Sequence, residues 1–546
     1  MSVPENAQLA QDRAESVTPA PAFVDARVQP APDPVPKRIT LRVAPSRMRR
    51  FHSELAKRLA RNGSAVALIV GSAPATVPAS LDLLFGLERV VFRLHGSWLS
   101  DRVPADALQR PESLTERPDW LIDFCGDARS QTSRVIRILY DGVADEAALA
   151  GALATGRMPR ITILDDKTGA ILAAGVPCAD NADTLLAAYE CVLARVTTLV
   201  VAAAVGLGPL LNAAGSTGRL GGARNLAIFE ASSLAHAIKR RLYRLCCYAP
   251  HWRICWRVVD GRDLRQTRTL SGTSWRVVPD PGFRFYADPF PVVHASRTYL
   301  FVEDFDHRQQ KGVISVIPFD ENGARGPAQP VLEESWHLSY PFVFEWDKQI
   351  WMIPESSANR TVTLYRADPF PTRWVRECVL LDDIEASDAT LLIRGGRFWM
   401  FAATRDGAGS WSDTLSIFQA SSLSGPWEAH RANPVLVDQA AARPAGAMFE
   451  QKGVLWRPVQ DCSQGYGTGI GLAAVTALDN NRFEQNVKAV IRAPADWPGR
   501  RLHTLNRVGR LEFIDGSAHS PRNQNIARLV EAWSGRRAYT SQDLTL

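Results

Sequence analysis

Ten polar side chains stand at matching places in the C-terminal half of this 546-residue chain. Asp288, Tyr340, Asp388, Arg443 and His503 each open an apolar strand. Glu303, Asp304, Glu355, Gln460 and Asp461 each close the strand that follows. Carboxyl groups crowded into one pocket repel, so some hold their protons to higher pH while others stay ionised. That division suits general acid and base chemistry. The alternative is structural: such residues also cap strand ends or pair with Arg443 and Arg405. Glu303, Asp304, Tyr340, Arg405, Arg443, Gln460, Asp461 and His503 are the candidates for contacting substrate. The spacing offers no metal site, since none of the eight Cys forms a Cys-x-x-Cys pair, and no cofactor is expected.

The elements that must position these residues repeat. Tyr286–Val292 is followed by Thr298–Asp304, Ser339–Glu345 by Ile350–Ser356, and Ser387–Ile393 by Phe398–Thr404. Arg443–Phe449 is followed by Leu455–Asp461, and Leu502–Asn506 by Arg510–Asp515. Each unit is a strand, a short turn and a second strand ending on a polar residue. Taking Asp288, Tyr340, Asp388, Arg443 and His503 as equivalent, the offsets are 52, 48, 55 and 60 residues. Units of this length read as blades of a propeller, and five starts imply five blades. The last unit is short, so residues 252–279 are expected to supply strands that close the ring. The first strand of a blade lines the channel and the second returns antiparallel, which brings the start of one and the end of the other to the same mouth.

The N-terminal half has another rhythm. Residues 1–37 form a Pro-rich tail expected to be disordered. Residues 38–205 alternate apolar runs (Arg38–Ala44, Ala65–Val70, Trp120–Phe124, Val135–Leu139, Arg160–Leu164) with helical patterns. Ser46–Arg61 reads as a helix capped by its serine. The fold class is therefore multidomain, a Rossmann-like α/β domain with a mostly parallel sheet followed by the all-β propeller. Neither a GxGxxG nor a GxxxxGK[ST] follows a strand, so a nucleotide cradle is not expected. Residues 206–251 form a basic connector, 252–525 the propeller and 526–546 a C-terminal tail.

Composition is that of a globular protein, 46% hydrophobic and 22% charged. Its net charge of +6 conceals a basic stretch. Between Arg219 and Arg276 twelve Lys or Arg stand against Glu230, Asp260 and Asp263. The stretch is expected either to touch an anionic membrane surface or to be a solvated helix face. No nucleic-acid motif accompanies it. Val196–Ala214 is uncharged, but Gly206, Gly208 and Pro209 interrupt it, which favours a buried helix over a spanning one. The polar N-terminus has no apolar signal core, and a cytoplasmic location with free thiols is expected, peripheral to the inner face of a membrane.

Ala287-Asp-Pro-Phe290, Tyr340-Pro-Phe-Val-Phe-Glu345, Ile353-Pro-Glu-Ser356, Leu423-Ser-Gly-Pro-Trp427, Arg457-Pro-Val-Gln-Asp-Cys462 and Leu502-His-Thr-Leu-Asn506 carry a resemblance. Over roughly 270–520 the chain resembles the N-terminal propeller domain of plant glucosamine inositolphosphorylceramide transferases and their bacterial relatives. In the plant proteins a glycosyltransferase domain follows; here that module is expected to be missing. More distantly the region resembles five-bladed furanosidase-type glycoside hydrolases. That likeness implies Asp288 as base, Glu355 as acid and Asp388 as modulator, although Tyr340 stands where those hydrolases often have an Asp. Residues 38–205 weakly resemble formyltransferase-like domains without their Asn, His and Asp constellation, which implies a degenerate or docking domain. The resemblance implies a carbohydrate-active protein of glycan or glycolipid metabolism that cleaves or transfers a glycosyl group. The alternative is a non-catalytic glycan-binding module assisting a surface-polysaccharide glycosyltransferase.

Overall fold

The computed structural model describes residues 35–528 apart from 73–79, 105–116, 131–132, 180–181, 183, 209–222, 272–274, 495–496, 498, 524 and 527. The disordered tail expected over 1–37, but for its last three residues, lies outside the described residues, as do the run Gly215–Gly222 and nearly all of the tail 526–546.

The N-terminal unit is built on one six-stranded sheet. Its strands are β1 (Arg38–Val43), β2 (Ala65–Val70), β3 (Trp120–Asp123), β4 (Arg134–Tyr140), β5 (Ile161–Asp165) and β6 (Ile171–Gly175), in the order β2-β1-β3-β4-β5-β6. The pairings from β2 to β4 are parallel and the last two are antiparallel. The sheet is thus mixed, because β5 and β6 form a hairpin across Asp166–Ala170. β6 went unread as a strand, its Ile-Leu-Ala-Ala-Gly lacking β-branched residues after the first. The first helix also starts later than its serine predicted. Pro45–Arg47 forms a single 3-10 turn, and α1 spans Arg50–Arg61, capped at Arg49, whose backbone N–H donates to His52 Nδ1.

Leu185–Ala204 (α2) is the core helix of this unit. By length and composition it could cross a membrane, but 83% of its apolar window is buried within the fold. It packs beside Ile39, Leu41, Phe51, Leu55 and Ile163 in one apolar cluster. Arg195 on this helix meets Asp413 of the propeller at 2.7 Å with both side chains fully buried. Asp413 also accepts the Cys178 amide at 2.8 Å, and Arg58 grips Asp406 through two 2.6 Å contacts. Val176 trades backbone hydrogen bonds with Val437 and Gln439. The two units are therefore locked together on the third blade.

The C-terminal half is a five-bladed β-propeller. Four antiparallel sheets follow one another, beginning at Arg284, Ser339, Ala386 and Phe449. The fifth sheet is composite, with strands Leu502–Val508, Leu511–Ser517, Trp252–Val258 and Arg276–Val277 in that order. Strands from both ends of the propeller chain thus share one blade, closing the ring as residues 252–279 predicted. Closure leaves the radial arrangement without a free join. The adjoining pair Cys247–Tyr248 and Ser520–Pro521 fastens the same seam from outside.

One irregularity recurs. The innermost pairing shifts register between Ala287 and Phe290, Ser339 and Phe342, Ser387 and Thr390, and Leu502 and Leu505. Each is a bulge that inserts one extra residue and re-aims the next side chain. Asp288, Tyr340 and Asp388 sit there with φ of 50°, 42° and 56°. His503 holds the matching place in the fifth blade. The fourth blade departs, since its inner strand is only Phe449–Gln451 and Gly446 carries the positive φ, 123°. A Cβ on Gly446 would lie 2.2 Å from the Leu505 carbonyl oxygen, so glycine is required for the approach to the fifth blade.

Candidate functional site

The bulges of the first, third and fifth blades bring Asp288, Asp388 and His503 to one mouth of the channel, where all five blades contribute to a pocket. A cavity of about 260 Å³ is lined there by Asp288, Glu303, Glu355, Asp388, Arg443 and His503, with Trp252, Phe285, Phe305 and Tyr466 as an aromatic wall. Its size is at the small end for ligand pockets. Both Glu303 and Glu355 pair with the residue just before a bulge, Ala287 and Ser339 respectively. They are therefore the same position in two successive blades.

Asp288 is 1% exposed. Its carboxylate accepts the Thr504 hydroxyl at 2.6 Å, His503 Nδ1–H at 2.9 Å and the Tyr340 amide at 3.1 Å. Burial works to raise its pKa, but the His503 cation and these donors outweigh it and hold the carboxyl below its ordinary range. His503 lies between two carboxylates, with Asp515 at 3.2 Å on the same nitrogen. Burial disfavours its charge, yet Asp288 and Asp515 push its pKa well above the usual value. The imidazolium then donates its second N–H to the Tyr466 hydroxyl oxygen. Asp515 in turn accepts the Asp288 amide at 2.8 Å and the Thr504 amide at 2.6 Å. One ligand atom from each of Asp288, His503 and Asp515 lies within 4.8 Å of the others, so this trio could hold a small cation were His503 to lose its proton.

Glu303 is the opposite case. Burial first, and the neighbouring Asp288 charge second, raise its pKa well above the ordinary range. It therefore holds its proton to higher pH than its neighbour Asp288 does. Asp388 is intermediate. Burial pushes it up to about 6, against the pull of Arg443, which holds it at 2.6 Å through Nε. Gln460 Nε2 adds a 3.1 Å donor to Asp388.

The residues singled out from the sequence separate into two groups. Asp288, Glu303, Glu355, Asp388, Arg443 and His503 converge on the pocket, and Gln460 stands behind Asp388. Glu355 is half-buried at the rim, held by the Ser339 hydroxyl at 2.6 Å and the Ser357 amide at 3.0 Å. Tyr340 does not reach the pocket. It is fully buried, and its hydroxyl accepts the Gly446 amide at 2.8 Å and bonds Thr390 at 2.9 Å, tying three blades together. Asp304 and Asp461 follow pocket-side neighbours on their strands and so face away. Asp304 binds Arg284 and Ser315, and Asp461 binds Arg492. Arg405 lies outside the lining, near Glu385 and over the Trp411 ring. Thr504, Asp515, Tyr466 and Trp252 were missed. Asp515 ends a repeat strand as Asp304 does, which was the available signal; Tyr466 lies in a loop and carried none.

Curated relatives that match include two of one name. Glucosamine inositolphosphorylceramide transferase 1 of Oryza sativa subsp. japonica is 34% identical over 232 residues, 41% of this chain and 31% of the relative. The protein of that name from Arabidopsis thaliana is 32% identical over 241 residues, 42% of this chain and 31% of the relative. The chain thus spans about a third of the length of the curated relatives it matches. Solved structures that align include a thermostable family-43 glycoside hydrolase, at 12% identity and a TM-score of 0.31, covering 40% of this chain and 83% of that one. A family 117 glycoside hydrolase of Zobellia galactanivorans aligns at 12% identity and a TM-score of 0.32, covering 49% and 91%. Residues 276–514, nearly the whole propeller, match the family described as glucosamine inositolphosphorylceramide transferase 1, N-terminal.

Proposed function

We propose that the propeller pocket binds a glycan or the sugar headgroup of a glycolipid and acts on a glycosyl group there. One observation carries this reading: two carboxyl groups in one buried pocket have their proton affinities driven apart, Glu303 upward and Asp288 downward. Glu303 would protonate the departing glycosidic oxygen. Asp288 would accept the proton of the incoming water or acceptor hydroxyl. This moves the acid from Glu355, expected from the sequence, to the equivalent position one blade earlier, because burial beside Asp288 raises the proton affinity of Glu303. Asp388, Arg443 and Glu355 would bind sugar hydroxyls, and the aromatic wall would pack on a sugar ring face. The names of the relatives matched over the propeller agree with a glycan or glycolipid substrate. The N-terminal domain, read as Rossmann-like and formyltransferase-like, would serve as a docking scaffold, and a cytoplasmic setting belongs to the same proposal.

A glycan array on the full chain, with mass spectrometry of every bound glycan for cleavage or transfer products, tests it. Glu303→Gln should keep binding and lower turnover by roughly 10²–10⁴-fold. Undiminished turnover in that variant would sink the assignment. Binding without catalysis is the second reading, and the saturation of Asp288 favours it. Three donors already occupy a carboxylate that offers about four acceptor positions, which leaves little for a water. Binding without product in the wild type would decide for it.

A further inference from the structure

The helix Ala223–Cys246 (α3) leads from the N-terminal unit to the propeller. Leu234, Ile238, Leu242 and Leu245 follow one another at intervals of four, four and three residues, which places them on one face. They are 45–69% exposed. Lys239, Arg240, Arg241 and Arg244 occupy the same turns, and Ala231–Cys246 contains no Asp or Glu. An apolar stripe of this size on a solvated helix loses free energy for want of a cover.

The far end of the helix is fixed. The Arg522 amide donates to the Cys246 carbonyl at 3.0 Å, and Arg522 Nε to that of Arg244 at 3.2 Å. Pro250 and Trp252, both in the pocket lining, follow within six residues of Cys246. A chain that short spans at most about 20 Å. Whatever α3 lies on is therefore close to the pocket mouth.

We propose that α3 lies on an anionic lipid bilayer, apolar stripe inward, and so holds the propeller pocket within reach of lipid headgroups. Charge decides the occupant. A second copy of the helix would set Arg241 and Arg244 against their own kind, whereas anionic headgroups attract them while the acyl boundary covers the stripe. The claim about α3 is independent of any chemistry in the pocket; only the orientation toward headgroups rests on the glycolipid reading.

Flotation of the full chain with vesicles tests the proposal. The protein should rise with phosphatidylcholine–phosphatidylserine vesicles, not with phosphatidylcholine alone, and high salt should release it. The double variant Arg241→Glu/Arg244→Glu should weaken partitioning roughly tenfold or more. Ile238→Ser/Leu242→Ser, at exposed positions that spare the core, should abolish it. Glu303→Gln should float as the wild type does, whether or not the pocket turns over a glycan. Equal flotation of all variants, or none by the wild type, would overturn the proposal. So would a lipid-free dimer in sedimentation that Ile238→Ser/Leu242→Ser dissolves, since a second copy would then cover the stripe.

Discussion

Asp288 and Asp388 occupy the same bulge position in the first and third blades, with nearly the same backbone, yet they hold protons differently. Each is 1% exposed and each has a cationic partner. Asp288 is held below its ordinary range, whereas Asp388 is pushed up to about 6. The difference lies in the charges around each as well as in its donors: after burial, the His503 cation lowers Asp288 most, whereas the Asp288 charge adds to burial in raising Asp388 against the pull of Arg443. Asp288 is met by a hydroxyl, a backbone amide and an imidazolium at once. Asp388 has one guanidinium with a single short contact, its second at 3.3 Å, and one amide side chain. A nearby cation and hydrogen bonds to the ionised form together offset burial at Asp288; at Asp388 a cation opposed by a neighbouring carboxylate does not.

The comparison can be broken most forcefully at Arg443. Arg443→Met leaves Asp388 buried without its cation and should cost roughly 3–5 kcal/mol in urea unfolding. Adding Asp388→Leu should recover most of that loss. A small effect of the single change would mean that Asp388 takes a proton instead of needing its partner.

The pH dependence of stability sharpens the same contrast. The folded pKa of Asp388 lies above its unfolded value, so its contribution is complete below about pH 4 and is lost as pH rises through 6. Asp288 runs the other way: its contribution is present above the ordinary carboxylate range and disappears as pH falls through its depressed value. Subtracting the Asp388→Asn stability curve from the wild-type curve should leave a fall of roughly 2–3 kcal/mol between pH 4 and 6. A flat difference would place the Asp388 pKa near its ordinary value.

The smallest test is Thr504→Val, which removes one donor from Asp288 while keeping shape. It should destabilise the protein by about 1 kcal/mol and shift Asp288 toward Asp388's behaviour. Chemical-shift titration of the Asp288 carboxyl reads that shift directly, and an unchanged titration would assign the depression to His503 and the Tyr340 amide.

Much of the propeller was legible because its blades repeat a local pattern. Strand, turn and strand recur near fifty residues, and the polar residues that open the first strand and close the return strand mark the channel mouth. The fourth blade misled because its repeat is imperfect. Arg443 stands where an aspartate or histidine was aligned, but it reaches the pocket from ahead of a short inner strand, as Asp388's partner. Alternation explains the other errors. Asp304 and Asp461 end on polar residues like their neighbours, and a single-residue step turns them to the opposite face. In the N-terminal unit, hydrophobic runs revealed strands β1–β5; the β5–β6 reversal at Asp166–Ala170 has its turn glycine, Gly169 at φ 71°, but β6 lacks a strand pattern of its own, and the delayed helix start had no cap strong enough to announce it.

The sequence by itself determined the periods: five blades, a closing strand borrowed from residues 252–279, an α/β sheet before them, and which positions bear acids. Those follow from local pattern and chain order. Only the tertiary structure decided that burial raises the proton affinity of Glu303, that Asp288 and Asp388 are shifted in opposite directions, and that Tyr340 braces the channel instead of lining the pocket. Proton affinity depends on burial and on donors that arrive from distant residues, with Thr504 216 positions from Asp288 in the chain. No local spacing encodes that convergence, because only ring closure brings the first and fifth blades side by side.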